Sequence, residues 1–252
     1  MCLVIILNKN ISWLNDIKIA HRGLHNIDKG IPENSIIAFE NAIDKNIAIE
    51  LDVHILKDNN IIVFHDDTLK RACNIEKNVK SLTLPEINKL RLFNTEYKIP
   101  TLIDTLEFID SRVPIILEVK TDVSAKIICP VLLKILDKYT GKIAIKSFNP
   151  SICIWFRKNA PTYVRGLLIS DFNNEKKNKF IKKLFLSSLI LMPICKPDFL
   201  SVCKTMLKSR KIKRVRNNKI ILGWTFKSHF ELLKYENYCD SYICEEKTET
   251  YI

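Results

Sequence analysis

The chain has 252 residues, of which 47% are hydrophobic and 27% charged, with a formal net charge of +12 and eight cysteines. That length suits one large core, and the composition is ordinary for a globular protein in water. Collagen-like, coiled-coil and low-complexity classes are excluded, and no C-x-x-C pair stands anywhere, so neither a zinc module nor a disulfide framework is indicated.

The apolar run Cys2 to Leu7 is shorter than the ~7–15 residues of a signal-peptide core and has no basic segment before it, so cytoplasmic residence is the expectation. The first strand is expected over Ile17 to Arg22, then a helix from near Asn34, where Ile36, Ile37, Phe39 and Ala42 approach a 3.6-residue period. The next strand runs Ile47 to Leu56 and is followed almost at once by another, Ile61 to His65. Four connecting residues are too few for a parallel crossover, so this pair must be an antiparallel hairpin. A small helix is expected over Ser81 to Leu92, with Pro85 near its start. Strands follow at Ile115 to Val119, Ile143 to Phe148, Val164 to Ile169, Asp198 to Val202, Ile220 to Phe226 and Ser241 to Cys244. Helices are expected over Cys129 to Tyr139 and Phe230 to Tyr238.

Setting the hairpin's return arm aside, eight parallel strands remain, most separated by a helix. That alternation predicts an α/β fold, a (β/α)8 barrel of TIM type with an antiparallel hairpin excursion after the second strand. A doubly wound open sheet is the alternative, weakened because no Gly-rich phosphate loop follows any strand. The whole chain, 1–252, is expected to be one barrel domain with a small insertion at about 57–100.

Charged groups interrupt the apolar strands at alternating positions: Glu50 with Asp52, and Glu118 with Lys120. Residues two apart in a strand share a face, so each pair aims into one space. Three carboxylates buried together require neutralisation, and a divalent cation with oxygen ligands is the usual solution. His21 and His65 stand at neighbouring strand ends. The pattern predicts metal-assisted phosphoryl transfer at the carboxyl ends of the strands. His54 shares the face of Asp52 and is read as supportive, whereas His25 and His229 are read as surface residues.

The segments His21-Arg22-Gly23, Pro32-Glu33-Asn34-Ser35, Glu50-Leu51-Asp52-Val53, Phe64-His65-Asp66, Leu117-Glu118-Val119-Lys120, Ser147-Phe148-Asn149 and Trp224-Thr225 follow one another in a recognisable order. Over almost the whole chain, this ordered set resembles the bacterial glycerophosphodiester phosphodiesterases. The resemblance implies a hydrolase that cleaves a small-molecule glycerophosphodiester into glycerol 3-phosphate and an alcohol. It implies one divalent metal ion, Mg or Ca, held by Glu50, Asp52 and Glu118, with His21 and His65 as an acid–base pair. Arg22 and Lys120 would contact the phosphate, and Glu33, Asn34 and Trp224 would support the site. Two departures carry structural meaning, since Asn46 and Asn59 stand where relatives usually have glycine, and asparagine is the next most tolerant of left-handed backbone. Others, Cys244-Glu245-Glu246 and Lys227, border the substrate entrance in the family and bear on selectivity.

The excess of positive charge is local. Residues 171–220 hold fourteen lysines and arginines against three acids, and the rest of the chain is nearly neutral. Bases at 176–219 flank the apolar run Leu184 to Ile194, which is too short for the ~20 residues of a membrane span. Two readings stand side by side: a solvated helix face, or peripheral contact with an anionic membrane, which would place a cytoplasmic protein at the membrane surface. No nucleic acid is expected, because aromatic residues are not interleaved with the charges. Two functional rivals remain, a membrane-surface lysophospholipase D-type activity on lysophospholipids and a catalytically silent barrel that binds phosphate or nucleic acid.

Overall fold

Runs of aliphatic residues buried on both faces build the strands of this molecule, whose computed structural model describes residues 9–171 and 189–245. The strands are β1 (Lys18–Ala20), β2 (Ala48–Ile55), β3 (Ile61–Val63), β4 (Ile115–Val119), β5 (Ile143–Ser147), β6 (Val164–Ile169), β7 (Phe199–Cys203), β8 (Ile220–Phe226) and β9 (Ser241–Cys244). They hydrogen-bond in the order β1-β9-β8-β7-β6-β5-β4-β2, and β1 also pairs with β2, closing a barrel of parallel strands. All eight residues of β2 are buried, as expected of a strand covered on both sides. Outside the barrel, β3 pairs antiparallel with the far end of β2, Val53 opposite Val63, so the expected hairpin excursion is present.

Strand parity separates the two cores. Ile19, Ala48, Ile116, Ala144, Val164, Phe199, Leu222 and Ile243 meet inside the barrel as its lower layer. Two residues further along, the same face carries His21, Glu50, Glu118 and Lys146, and one step higher come Asp52, Lys120 and Phe148. The interior is therefore apolar at the bottom and ionisable toward the carboxyl ends, where barrel enzymes keep their chemistry. Gly166 belongs to this packing, because a Cβ there would lie 2.2 Å from the Phe199 ring. The opposite parity, including Ile49, Leu51, Val53, Leu117, Val119 and Ile145, packs outward on helices.

Those helices are α1 (Ile36–Asp44), α2 (Lys70–Cys73), α3 (Leu84–Ile87), α4 (Leu102–Ile109), α5 (Ala125–Leu136), α6 (Pro150–Asn159), α7 (Met192–Cys195), α8 (Arg210–Arg216) and α9 (His229–Leu233). Local chemistry sets their starts. Ser35 accepts from the N–H of Ala38, Thr101 from that of Asp104, and Asn149 caps α6 with Pro150 in its first turn. The helix expected over 81–92 is shorter. A capping box between Thr83 and Glu86 starts α3, which stops after Ile87, while Val79–Ser81 forms a separate 3-10 turn. The helix expected over 230–238 likewise divides into α9 and a 3-10 turn at Glu236–Tyr238.

Asn46 and Asn59 have φ of 51° and 64°, the left-handed backbone anticipated for them. The excursion after β2 builds a satellite cluster of its own, with Leu56, Ile62, Phe64, Leu69, Val79 and Ile87 buried together. Of the basic region, 172–188 lies outside the described residues. In the described part, α8 buries Ile212 and carries Lys211, Lys213, Arg214 and Arg216 around it. Among the described residues, no helix is long and apolar enough to cross a membrane.

Candidate active site

Three carboxylates converge at the carboxyl end of the barrel: Glu50 and Asp52 are each 1% exposed and Glu118 7%. One oxygen from each lies within 4.8 Å of the other two. Register explains the meeting, because β2 and β4 run side by side with Asp52 opposite Glu118. Three buried negative charges demand counter-charges, and side chains supply them. Lys120 Nζ lies 2.7 Å from both Asp52 Oδ1 and Glu118 Oε1. Lys146 Nζ lies 2.9 Å from Glu50 Oε1 and 3.5 Å from Glu118 Oε2, and Arg22 Nε lies 3.5 Å from Asp52 Oδ2.

Burial opposes ionisation of Asp52, but Lys120, followed by His65 and Arg22, outweighs it and holds the carboxyl well below the usual range. Glu118 is also lowered: against burial and the Asp52 charge stand Lys120 and Lys146. Both lysines are raised despite burial, Lys120 chiefly by Asp52 and Glu118, Lys146 chiefly by Glu50 and Glu118. These four groups are therefore charged at neutral pH.

The backbone is shaped around these charges. Arg22 has a φ of 58°, and its N–H donates to Glu50 Oε2 at 3.1 Å. Gly23 follows at φ +79°, where a Cβ would lie 2.9 Å from Ala38. Asn34, at φ 55°, donates from Nδ2 to Asp52 Oδ2 at 2.9 Å and accepts the Asp52 N–H at 3.3 Å. Left-handed backbone at non-glycine residues is strained and clusters at functional sites. Glu33 holds Arg22 Nη1 at 2.7 Å and is gripped by two nitrogens of Arg71 at 3.0 and 2.7 Å. Burial opposes ionisation of Glu33, but the Arg71 and Arg22 guanidiniums bring it down to about 2.

The two histidines face one cleft. His21, Arg22, Asp52, His65, Glu118, Lys120, Lys146, Phe148 and Trp224 line about 450 Å³ of space, part of it open to solvent. Burial pushes His21 below the ordinary histidine value; Glu245, whose Oε1 is 3.7 Å from Nδ1, pulls upward, and Arg22 downward again. His65 Nδ1 pairs with Asp66 Oδ1 at 2.6 Å. Trp224 packs edge-on against Phe148, ring centres 5.9 Å apart, with its indole Nε1 buried and unpaired.

All ten residues singled out in the sequence, His21, Arg22, Glu33, Asn34, Glu50, Asp52, His65, Glu118, Lys120 and Trp224, stand in or directly behind this cleft. Lys146 was not among them, although it alternates with Ala144 and Phe148 inside an apolar run, the signal that marked Glu50 and Asp52. Arg71, in the four-residue helix α2, carries no pattern in the sequence that points to the site, and Glu245 is marked there only as bordering the substrate entrance. His25, expected at the surface, is half-buried, its Nδ1 3.0 Å from the His21 carbonyl. The ring packs there because the chain turns sharply at Arg22 and Gly23. Asn149, at a strand end, caps α6.

A sequence profile for the glycerophosphoryl diester phosphodiesterase family matches residues 21–236. A glycerophosphodiester phosphodiesterase of Caldanaerobacter subterraneus is 36% identical over 164 residues, 60% of this chain and 65% of that one. A Bacillus altitudinis protein of the same name is 38% identical over 101 residues, 37% of this chain and 40% of its own. The matches thus span less than two thirds of these relatives' lengths. In fold, the chain superposes on an Oleispira antarctica phosphodiesterase solved with its product sn-glycerol-3-phosphate, with a TM-score of 0.79 and 19% identity over 94% of this chain and 95% of that one. A Thermotoga maritima glycerophosphodiester phosphodiesterase gives 0.70 and 21% over 92% and 95%.

Proposed function

Because the chain belongs to the glycerophosphoryl diester phosphodiesterase family, we propose that it hydrolyses glycerophosphodiesters to glycerol 3-phosphate and an alcohol. The observation that carries this reading is the convergence of Glu50, Asp52 and Glu118 with Arg22, Lys120 and two histidines on a single cleft. A divalent cation fits the donor set, three buried carboxylates being hard oxygen ligands; Mg²⁺ or Ca²⁺ is the choice, with Glu50, Asp52 and Glu118 as holders. When bound, such an ion neutralises charge on the phosphate oxygens and polarises the phosphorus.

The chain's own residues account for the remaining work. A phosphodiester is anionic, and an attacking oxygen approaches only when that charge is offset. Arg22 and Lys120 at the cleft wall bind and orient the phosphate. His21, held neutral by burial, accepts the proton of the attacking oxygen. His65, held by Asp66 through Nδ1, delivers a proton to the departing alkoxide. Glu33 and Asn34 position Arg22 and Asp52. Trp224 forms the wall toward the glycerol or head group. The whole of 1–252 acts as one barrel unit, with 57–100 as a small insertion that brings His65 and Arg71 to the site.

A second reading, lysophospholipase D-type activity, rests on α9, which follows the strand carrying Trp224 and leaves Phe230 67% and Leu233 47% exposed. A 56-residue stretch is also 39% identical to a human lysophospholipase D, covering 22% of this chain and 18% of that one. Together with bases in 176–219, this would suit a cytoplasmic protein that visits an anionic membrane surface. Release of glycerol 3-phosphate from glycerophosphocholine by the purified chain tests the first reading. Faster turnover of lysophosphatidylcholine, further raised by anionic vesicles, would favour the second. Neither reading survives if both substrates are left intact across divalent metals.

A further inference from the structure

Behind the cleft lies a second polar cluster that the proposed hydrolysis does not use. His54, on the same face of β2 as Asp52, is fully buried, and its Nδ1 lies 3.2 Å from Oδ1 of Asp122 in the segment after β4. Asp67, in the segment after β3, joins them: one ligand-type atom from each of the three residues lies within 4.8 Å of the other two. The Asp122 side chain is 6% exposed, and its Oδ2 is buried without a hydrogen-bond partner. Asp67 is exposed and closes the cluster on the solvent side.

The tautomer of His54 makes the cluster informative. Its Nε2 lies 3.2 Å from the carbonyl oxygen of His65, which can only accept, so Nε2 carries a hydrogen and donates it. Nδ1 faces the Asp122 carboxylate at 3.2 Å, a spacing that a shared cation gives, and the second Asp122 oxygen is buried with no partner of its own. Metal–ligand lengths of about 2.1 Å place adjacent ligands roughly 3.0–3.4 Å apart, which brackets the observed separation. A backbone carbonyl holding the far nitrogen is also what metal-bound histidines usually have. Lys80 is close, its ammonium donating to the Asp122 carbonyl at 3.3 Å, but it is exposed, and one ammonium leaves two carboxylates with net negative charge.

We propose that His54, Asp67 and Asp122 form a second cation site, separate from the carboxylate cage, for a divalent ion that accepts an imidazole ligand, such as Zn²⁺. One nitrogen with two oxygens selects a softer ion than the all-oxygen cage does. Asp67 stands two residues after His65, and Asp122 two after Lys120. A cation here therefore ties together the two segments that carry these cleft residues, with His54 also holding the His65 carbonyl in place. The ion braces the site and takes no part in the reaction.

Equilibrium dialysis of the chelator-stripped full chain against Zn²⁺, in excess Mg²⁺ to occupy the carboxylate cage, tests the assignment. One zinc equivalent is expected to bind, to persist in Glu118→Gln, and to weaken at least about 10-fold in Asp122→Asn and Asp67→Asn. Circular dichroism checks the fold of each variant. Since Asp67 is exposed, Asp67→Asn decides the question alone if Asp122→Asn fails to fold. Zinc binding that is absent, or untouched by both aspartate variants, or lost only in Glu118→Gln, overturns the proposal. The first of these outcomes would leave a plain imidazolium–carboxylate pair at His54 and Asp122.

Discussion

Lys146 and Glu50 meet at 2.9 Å across the barrel interior, although β5 and β2 are not neighbours and β4 lies between them. The ammonium is 3% exposed and also reaches Glu118, so it holds part of the place a cation would take among the carboxylates. Removing it takes the ion pair from the buried Glu50 carboxylate and leaves the Arg22 N–H against it. In Lys146→Met without divalent ions, a stability loss of about 3–5 kcal/mol is expected. Added Mg²⁺ or Ca²⁺ should then raise the melting temperature of the variant more than that of the wild type. Equal melting temperatures for both proteins in chelator would show that Lys146 is not the counter-charge described.

Replacing His21 or His65 by alanine should lower glycerol 3-phosphate release at least ~100-fold, with far-ultraviolet circular dichroism unchanged. A catalytically silent, ligand-binding barrel predicts instead that any function of the chain survives His21→Ala.

The charged groups acting on His21 are Arg22, Glu50, Asp52 and Glu245, and burial dominates, moving its pKa below the ordinary value of about 6.5. A base with a lowered pKa stays competent into mildly acidic solution, so the acid limb of kcat/KM should lie below pH ~6.5. Glu245 stabilises the protonated ring, hence Glu245→Gln should move that limb to still lower pH. A shift toward higher pH would contradict the sign. By the same linkage, the contribution of His21 to folding is whole above pH ~6.5 and is lost as pH falls through the lower folded-state value.

Arg71 grips Glu33, which in turn holds Arg22. Arg71→Ala should loosen the Arg22 guanidinium and raise KM by about 3- to 10-fold, a modest effect because Arg71 is 44% exposed and screened by water. The turnover number should change less. Steady-state kinetics with glycerophosphocholine separates the two, and a selective fall in kcat would argue against a binding role.

How much of this was legible depends on periodicity. Glu50, Asp52 and Glu118 stand out by alternating inside apolar runs, and the order of strands alone implies a closed barrel. Lys146 obeys the same parity, but a lone lysine in a strand has no partner in its own segment. Its meaning comes from Glu50 and Glu118 on other strands. Asp122 and Glu245 lie in connections and Arg71 in a single helical turn, where tertiary contacts set direction and no period exists to read. Thr101, and Asn149 with Pro150, are start signals that give α4 and α6 the bounds which strand–helix alternation alone leaves open. Asn46 and Asn59 show the opposite case, a backbone conformation inferred correctly from residue type alone.

The most direct test of the central claim measures glycerol 3-phosphate release by the purified chain before chelation, after it, and after return of Mg²⁺ or Ca²⁺, with Glu118→Gln alongside. The account predicts activity that disappears with the chelator, returns with the metal, and is not restored by that metal in Glu118→Gln. Full activity in chelator, or a Glu118→Gln protein as active as the wild type, would contradict it.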